Sequence, residues 1–176
     1  MKNLIAVDIF DNPIGKISKT EAHKKPILHR AFSVFLYNKD KILIQQRAFN
    51  KYHSGGLWAN TCCSHPRSED IKKDASLRLK EEIGVDLSAE NLQEIFTFTY
   101  MTKFANNLYE YEFDHVLVGE YTGDFVINKE EVNDLVWIDI KTLSEELHHN
   151  PQKFASWFLI CYPKVIQYLI KKTRDS

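Results

Sequence analysis

The sequence predicts a mixed α/β protein of the α+β sandwich type, with β-sheets flanked by helices. Segments rich in β-branched and aromatic residues, bounded by turn residues, occupy most of the chain before residue 140, and one amphipathic helical segment interrupts them. Helical segments then follow one another towards the carboxyl end. This order differs from the regular alternation of strand and helix that is typical of a parallel sheet.

Turn residues delimit the predicted elements. Asp11-Asn12-Pro13 separates the first two strands, Asn38-Lys39-Asp40 joins a hairpin, and Gly84 ends the first helix, whose first turn is acidic. Pro163 is expected to interrupt the last helix. The predicted strands are 4–10, 14–18, 31–37, 41–46, 57–64, 92–102, 108–120 and 134–139, and the predicted helices are 69–83, 141–147 and 151–172.

Length and composition predict one domain spanning residues 1–176. Hydrophobic residues make up 44% of the chain and charged residues 27%, as in ordinary globular proteins, and 176 residues are few for two cores. No repeat or linker divides the sequence. Because the formal net charge is −1, no overall positive field would attract nucleic acid or an anionic membrane, and we expect neither as a partner.

The cysteines and the amino-terminal residues favour a soluble cytoplasmic protein. We expect a monomer or a homodimer. Cys62 and Cys63 are adjacent and Cys161 is distant, which suits a reducing compartment better than a disulfide framework. Asp8 comes too early for a secretory signal peptide, and the longest apolar run, residues 157–162, is too short to span a bilayer.

The first helix carries charge on its apolar side. At about 100° per residue, Glu82 falls inside the apolar arc and Arg78 falls at its edge. An inward carboxylate needs a cation or a ligand to offset its desolvation. Two interpretations stay open, a buried Arg78–Glu82 ion pair and a binding site. The apolar arc consists of Ile71, Ala75, Leu79 and Ile83.

The strand at 108–120 alternates aromatic and acidic residues, so Glu110, Glu112 and Asp114 share one face. Taken alone, three like charges indicate a solvent-exposed face. Together with histidines, however, carboxylates form a mixed nitrogen and oxygen set that suits an octahedral divalent ion. The candidate ligands are His23, His29, His65, Glu110 and Glu112, whereas His115, His148 and His149 are assigned to the surface or the core.

A structural zinc site built on Cys62, Cys63 and His65 is a weaker alternative. Such a site normally requires a second pair of Cys or His ligands at matching spacing, and the chain offers only Cys161.

Three motifs stand out together, namely the stretch Trp-Ala-Asn-Thr-Cys-Cys-Ser-His-Pro at 58–66, the Glu110-x-Glu112 pair and Ser156-Trp157. They resemble those of the type 1 isopentenyl-diphosphate isomerases, enzymes of isoprenoid biosynthesis built on the Nudix hydrolase fold. The resemblance covers about residues 4–168. It implies a Nudix fold with an amino-terminal extension and carboxyl-terminal helices.

The Nudix signature is present in altered form. Its first glycine falls on Cys63 and its first glutamate on Glu69. Leu77-Arg78 stands where the hydrolases have an Arg-Glu pair, so a cation replaces one of the carboxylates that hold metal and activate water. The change argues for keeping a diphosphate intact, although a Nudix hydrolase of a nucleotide or other diphosphate remains the alternative, followed by a catalytically silent binding module.

The resemblance also implies residue roles. Cys62 is expected to be a packing residue. The implied catalytic residues are Cys63, Glu112, Tyr100 and Trp157. The implied ligands of a protein-bound divalent metal (Mn²⁺, Mg²⁺ or Zn²⁺) are His23, His29, His65, Glu110 and Glu112, while Glu82 is implied to hold Mg²⁺ on the substrate diphosphate. The implied diphosphate-binding residues are Lys19, Arg47, Lys51 and Arg78.

The implied reaction interconverts isopentenyl and dimethylallyl diphosphate through a tertiary carbocation. A proton is added to the alkene and another is removed from the adjacent carbon, so an acid and a base must lie on opposite sides of a five-carbon unit. We expect Glu112 with Tyr100 to deliver the proton and Cys63, as a thiolate whose pKa is lowered by the metal, to remove one. Trp157 is expected to stabilise the cation.

Overall fold

The computed structural model describes residues 3–174, and they form the expected α+β arrangement of a mixed sheet covered by helices. The strands are β1 (Asn3–Val7), β2 (Pro13–Ser18), β3 (His29–Asn38), β4 (Lys41–Arg47), β5 (Trp58–Ala59), β6 (Cys62–Ser64), β7 (Gln93–Lys103), β8 (Tyr109–Glu120) and β9 (Val132–Asp139). The helices are α1 (Lys19–Lys24), α2 (Ile71–Ile83), α3 (Ile140–His149) and α4 (Ser156–Arg174), with short 3₁₀ turns at Ala89–Asn91 and Pro151–Lys153.

Strand β3 lies at the centre of the sheet. It pairs in antiparallel fashion with β1, β4 and β6 and in parallel with β8. The remaining antiparallel pairs are β1 with β2, β4 with β5, β4 with β9, and β7 with β8. Because β6 and β8 flank β3 on opposite sides, side chains from distant parts of the sequence can reach one common face.

The two larger of three hydrophobic clusters lie one on each side of the sheet. Along β3, Phe32 and Val34 pack on the side of α2, and Phe35 packs on the side of α4, as the period of two requires. Leu79 of α2 and Phe158 of α4 are fully buried against these two faces. Helix α2 begins after Asp70, whose side chain accepts a hydrogen bond from Lys73 N, and ends at Gly84 in a left-handed conformation.

Three sequence-based predictions of secondary structure were wrong. Helix α1 was missed, although Ser18 caps it by accepting a hydrogen bond from Glu21 N. The predicted interruption at Pro163 is absent, because the packing of α4 on the sheet outweighs the one hydrogen bond that a proline cannot donate.

Within residues 3–174, no helix combines the length and the apolar character needed to cross a membrane.

The third wrong prediction is the strand at 57–64, which consists of β5 and β6 separated by Asn60 and Thr61. Both side chains are buried and hydrogen-bond to the backbone of neighbouring strands, so the chain leaves the ladder there. Asn60 Nδ2 donates to the carbonyl oxygens of Val34 (3.1 Å) and Cys62 (2.7 Å), and Asn60 Oδ1 accepts a hydrogen bond of 3.0 Å from Trp157 Nε1. One side chain therefore joins β3, β6 and α4.

The turn between β1 and β2 is tied to the sheet by a buried polar cluster. His115, assigned to the surface or core from sequence, lies with Nε2 2.9 Å from Asp11 and Nδ1 2.9 Å from Glu94. Arg30 donates to Asp11 and, at 2.9 Å, to Glu69. These contacts hold the amino-terminal hairpin against β7 and β8.

We predict that Asn60→Ala lowers the free energy of unfolding by about 3 kcal/mol, because it leaves several buried polar partners unsatisfied. Urea denaturation followed by circular dichroism measures the change. The matched control, Asn106→Ala at an exposed position, should change stability by no more than about 0.5 kcal/mol. Equal losses in the two variants would contradict the role assigned to Asn60.

Candidate active site

The site lies where β6 and β8 present side chains beside β3. Ser33 of β3 pairs with Cys63, and His29 of β3 pairs with Glu112, so the thiol and the carboxylate lie on two strands that both pair with β3. A cavity of about 90 Å³ opens between them. Its lining includes eleven of the thirteen site residues predicted from sequence, namely Lys19, Arg47, Lys51, Cys63, His65, Arg78, Glu82, Tyr100, Glu110, Glu112 and Trp157.

The other two predicted residues, His23 and His29, are fully buried beside the cavity. Their ring centroids are 5.6 Å apart, and the His29 ring lies 5.0 Å from that of His65. The structure thus brings all thirteen residues together, although they come from eight separate elements and two loops.

The acidic face of β8 is buried, which corrects the prediction made from that strand alone. Glu110, Glu112 and Asp114 have exposures of only 4%, 5% and 1%, so the solvent-exposed face expected from three like charges is wrong. Ser33 Oγ donates a hydrogen bond of 2.8 Å to Asp114. Histidines and Tyr100 surround the two glutamates.

The histidines are oriented as metal ligands usually are. His23 Nδ1 lies 2.7 Å from the carbonyl oxygen of Lys19, and His29 Nδ1 lies 2.8 Å from that of Ile27. A carbonyl oxygen only accepts, so each Nδ1 carries the proton and each Nε2 presents a lone pair to the interior. Both Nε2 atoms, together with Glu110 Oε2, are buried without a hydrogen-bond partner.

A bound cation would provide a partner for these buried nitrogen and oxygen atoms. A group formed by His23, His29 and His65 has donor atoms within 4.8 Å of one another, and Glu112 Oε1 lies 3.5 Å from His29 Nε2 and 2.9 Å from His65 Nε2. The donor set therefore fits a divalent ion. The groups of possible ligands found in the described part of the chain contain no cysteine, which disfavours the structural zinc alternative.

Glu112 is the electrostatic centre of the site. Burial alone would raise the pKa of Glu112, but its interactions with His29 and His65 outweigh burial and hold that pKa well below its ordinary value. Tyr100 donates a hydrogen bond of 2.6 Å to Glu112 Oε2. Burial and the nearby Glu112 charge in turn raise the pKa of Tyr100 well above its usual range, so its hydroxyl keeps its proton.

In the absence of a metal ion, the protein groups around Cys63 act against the thiolate form. Burial raises the pKa of the Cys63 thiol to about 12, and the charges of Glu82, Glu110 and Glu112 add to the effect. Arg47, whose Nη1 lies 3.4 Å from Cys63 Sγ, acts against it but does not prevail. The protein groups by themselves therefore hold the proton on sulfur. Cys62 is fully buried in the core under α2, as the packing role predicts.

Basic side chains gather at the mouth of the cavity. The pKa of Lys19 is lowered, chiefly by burial and then by the positive charges of Lys51 and Arg47. Cations that repel one another at a partly buried position are typical of an anion-binding site. A neighbouring cleft of about 340 Å³ shares Lys19, His65 and Arg78 with the cavity.

The two interpretations of Arg78 and Glu82, a buried ion pair and a binding site, are compatible with each other. Arg78 donates to Glu82, to Glu81 at 2.9 Å and towards Glu131 at 3.5 Å, so the buried ion pair exists. Both residues also line the cavity. Glu131, which also pairs with Lys51, was missed from sequence because it lies in the loop before β9 with no motif around it.

Trp157 is held in place at the cavity wall. Its indole is 2% exposed, its Nε1 donates to Asn60, and the guanidinium carbon of Arg47 lies 5.2 Å from its ring centroid. The indole face already contacts a positive charge, as a cation–π role requires.

A fourth histidine, His53, also borders the cavity and was missed by the sequence analysis. Its Nε2 lies 3.1 Å from Glu110 Oε1. The only local signal is a histidine directly before the Ser54-Gly55-Gly56 turn, which specifies loop conformation and says nothing of where the imidazole points.

Comparisons with known proteins bear on the fold and the family of the chain. Residues 27–158 match the NUDIX domain family. The chain is 48% identical to the isopentenyl-diphosphate Delta-isomerase of Serratia proteamaculans, over 89% of this chain and 87% of that protein. It is 43% identical to isopentenyl-diphosphate Delta-isomerase 2 of Aromatoleum aromaticum, over 93% of this chain and 86% of that protein.

Solved structures support the fold. A Deinococcus radiodurans crystal structure superposes with a TM-score of 0.65 at 17% identity, covering 84% of this chain and 90% of its own. A Nudix hydrolase from M. smegmatis superposes with a TM-score of 0.56 at 16% identity, covering 96% and 94%. Together with the closer sequence relatives, these matches show that the chain belongs to the NUDIX domain family and, within it, to the isopentenyl-diphosphate Delta-isomerases.

Proposed function

We propose that this protein is an enzyme of isoprenoid biosynthesis that interconverts isopentenyl diphosphate and dimethylallyl diphosphate. The observation that carries the proposal is the placement of Cys63 and the Glu112–Tyr100 pair around one buried cavity, with cations at its mouth. Moving a double bond along a short hydrocarbon requires a proton donor and a proton acceptor on opposite sides, and this cavity supplies both.

The proton transfers are assigned to Cys63 Sγ and to Glu112 with Tyr100. One of these groups protonates the alkene, and the other removes a proton from the adjacent carbon. Since the reaction runs in both directions, the donor for one direction is the acceptor for the other. The protein groups place the starting protons on Cys63 Sγ and on the Tyr100 hydroxyl and leave Glu112 ionised.

Water must be excluded, because it would capture the carbocation. The cavity of about 90 Å³ is narrow, and Tyr100 and Trp157 in its wall are 6% and 2% exposed. The Trp157 indole offers the intermediate a π face without a nucleophile, which is worth about 2 kcal/mol at a desolvated site.

The substrate diphosphate would lie at the basic mouth. Lys19, Arg47 and Lys51 supply positive charge there, and Arg78 adds a guanidinium already oriented by its carboxylate partners. Glu82 is the carboxylate positioned to share a Mg²⁺ ion with the diphosphate. Holding the charged end fixes a hydrocarbon that has no polar group of its own.

The metal of the histidine cage would be held by His23, His29, His65, Glu110 and Glu112. Three imidazole nitrogens with carboxylate oxygens suit a transition metal better than Mg²⁺, and more than four ligands suit Mn²⁺ better than a tetrahedral Zn²⁺. When bound, the ion supplies a fixed positive charge beside Glu112 and Tyr100.

The alternative, hydrolysis of a nucleotide or other diphosphate, is less well supported. It needs a carboxylate where Arg78 stands, and Arg78 occupies that place with three carboxylate partners of its own. No specific observation favours this second function.

We predict that the protein supplied with isopentenyl diphosphate and Mg²⁺ forms dimethylallyl diphosphate without releasing phosphate. Proton NMR follows the two alkenes, and phosphorus NMR of the same sample detects inorganic phosphate. Release of phosphate with no isomer would indicate the hydrolase instead, and absence of both products would contradict the proposed activity.

Replacement of the two neighbouring thiols should have different effects. Cys63→Ala should lower kcat by about 10³-fold, because it removes a proton-transfer group, and should leave the fold intact. Cys62→Ala, at a buried packing position one residue away, should retain at least about half of the wild-type kcat. The isomerase assay with circular dichroism as the folding control measures both. A similar loss in the two variants would undo the choice of Cys63.

Metal removal should destabilise the protein. At 100 times the dissociation constant, bound Mn²⁺ contributes about 2.7 kcal/mol, which corresponds to a Tm increase of roughly 5–10 °C for a chain of this size. Thermal melts with chelator and with added Mn²⁺ measure the shift. His29→Ala should abolish it and the exposed His148→Ala should preserve it. A shift of the same size in all three proteins would place the ion elsewhere.

A further inference from the structure

His53 lies in the loop between β4 and β5, against the second side of the histidine cage. Its side chain is 6% exposed, and its Nε2 lies 3.1 Å from Glu110 Oε1. His23, His53 and Glu110 form a second group whose donor atoms lie within 4.8 Å of one another. The two groups share His23, so His53 borders the same interior space as the five proposed ligands.

The loop backbone next to His53 is tightly constrained. Ser54 and Gly56 have positive φ angles of 53° and 78°, and a Cβ atom added at Gly55 would lie 2.5 Å from the carbonyl oxygen of Phe49. The backbone therefore follows a path that favours glycine at positions 55 and 56. The imidazole is then fixed by stacking on the Phe104 ring, with centroids 4.7 Å apart and planes inclined by 18°.

Two of the separations between donor atoms match neighbouring positions of one six-coordinate ion, and the two groups meet at His23. In an octahedron with metal–ligand bonds of about 2.2 Å, neighbouring donors lie roughly 3 Å apart. Glu110 and His53 are 3.1 Å apart, and Glu112 is 2.9 Å from His65. The five proposed ligands leave one of six positions open, and His53 is the imidazole next to Glu110.

The second nitrogen of His53 supports a ligand role. His53 Nδ1 lies 3.4 Å from Ser54 Oγ, and a ligating histidine normally directs its other nitrogen to such a partner. Glu110 Oε2 and His23 Nε2 are buried and have no hydrogen-bond partner, so two further atoms of this group are available to coordinate a metal ion.

We infer that His53 is the sixth ligand of the metal in the histidine cage. The inference rests on the proposal that the cage binds a divalent ion. It adds a functional consequence, because the same loop carries Lys51, and Arg47 Nη2 donates a hydrogen bond of 3.4 Å to the His53 carbonyl oxygen. A metal bound to His53 would anchor the loop and thereby hold two of the diphosphate-binding cations in place.

Two variants test this role. His53→Phe keeps the aromatic stacking on Phe104 and removes both nitrogens, whereas His53→Gln keeps an N–H donor near Glu110 and removes the imidazole. His148→Phe, at an exposed position on α3, is the matched control. Calorimetric titration of the metal-free full-length proteins with Mn²⁺ gives affinity and stoichiometry. Electron–nuclear double resonance on protein labelled with ¹⁵N-histidine counts the imidazole nitrogens on the ion.

We expect the wild-type protein to bind one Mn²⁺ with four coupled imidazole nitrogens. Both His53 variants should show three, and His53→Phe should weaken Mn²⁺ binding at least about tenfold. The His148→Phe control should match the wild type in each measurement.

Three outcomes would overturn the inference. Three coupled nitrogens in the wild type would leave His53 as no more than a neighbour of Glu110, and two ions per chain would make the second group a separate site. Unchanged affinity in His53→Phe would exclude a ligand role. A wild-type protein that binds no divalent ion would instead remove the proposed metal function itself, which separates the two failures.

Discussion

The burial of acidic side chains on one strand is the constraint on which the site depends. Glu110, Glu112 and Asp114 lie in the interior, where an unpaired charge costs several kcal/mol. Histidines around the glutamates and Tyr100 on Glu112 offset this cost. Asp114 accepts a hydrogen bond from Ser33, and burial raises its pKa well above the ordinary value, which favours the neutral acid. The polar groups that would suit a metal ion thus also lower the cost of burying these carboxylates away from water.

The same desolvation separates the protonation states of the two proposed catalytic groups. Cys63 has no histidine partner, so burial raises its pKa and keeps the proton on sulfur. Glu112 has two, and its pKa falls despite burial. Arg78 stands at a position that bears a carboxylate in the Nudix signature. Its guanidinium donates to Glu81, Glu82 and Glu131. One fold can in this way hold a diphosphate instead of cleaving it.

Local patterns in the sequence indicated the class of fold and part of the proposed site, and the family resemblance supplied the remaining residues. Periods of two and 3.6 located the strands and α2, and the inward position of Glu82 followed from the helical period alone. The stretch at 58–66 carried both Cys63 and His65, because alternation along a strand puts them on one face and leaves Cys62 on the other. These features depend on neighbouring residues only, so the sequence expresses them directly.

Only the tertiary structure decided which side of β8 faces the interior and what completes the cage. The alternation at 109–114 is the same for an exposed and a buried acidic face, and the choice depends on histidines that are distant in sequence. The break at Asn60, the continuation of α4 through Pro163 and the pairing of Glu131 with two cations likewise arise from contacts with remote elements. His53 is the clearest case, since its loop sequence specifies turns, and only the packing of that loop against Phe104 and Glu110 brings its imidazole to the proposed metal ligands.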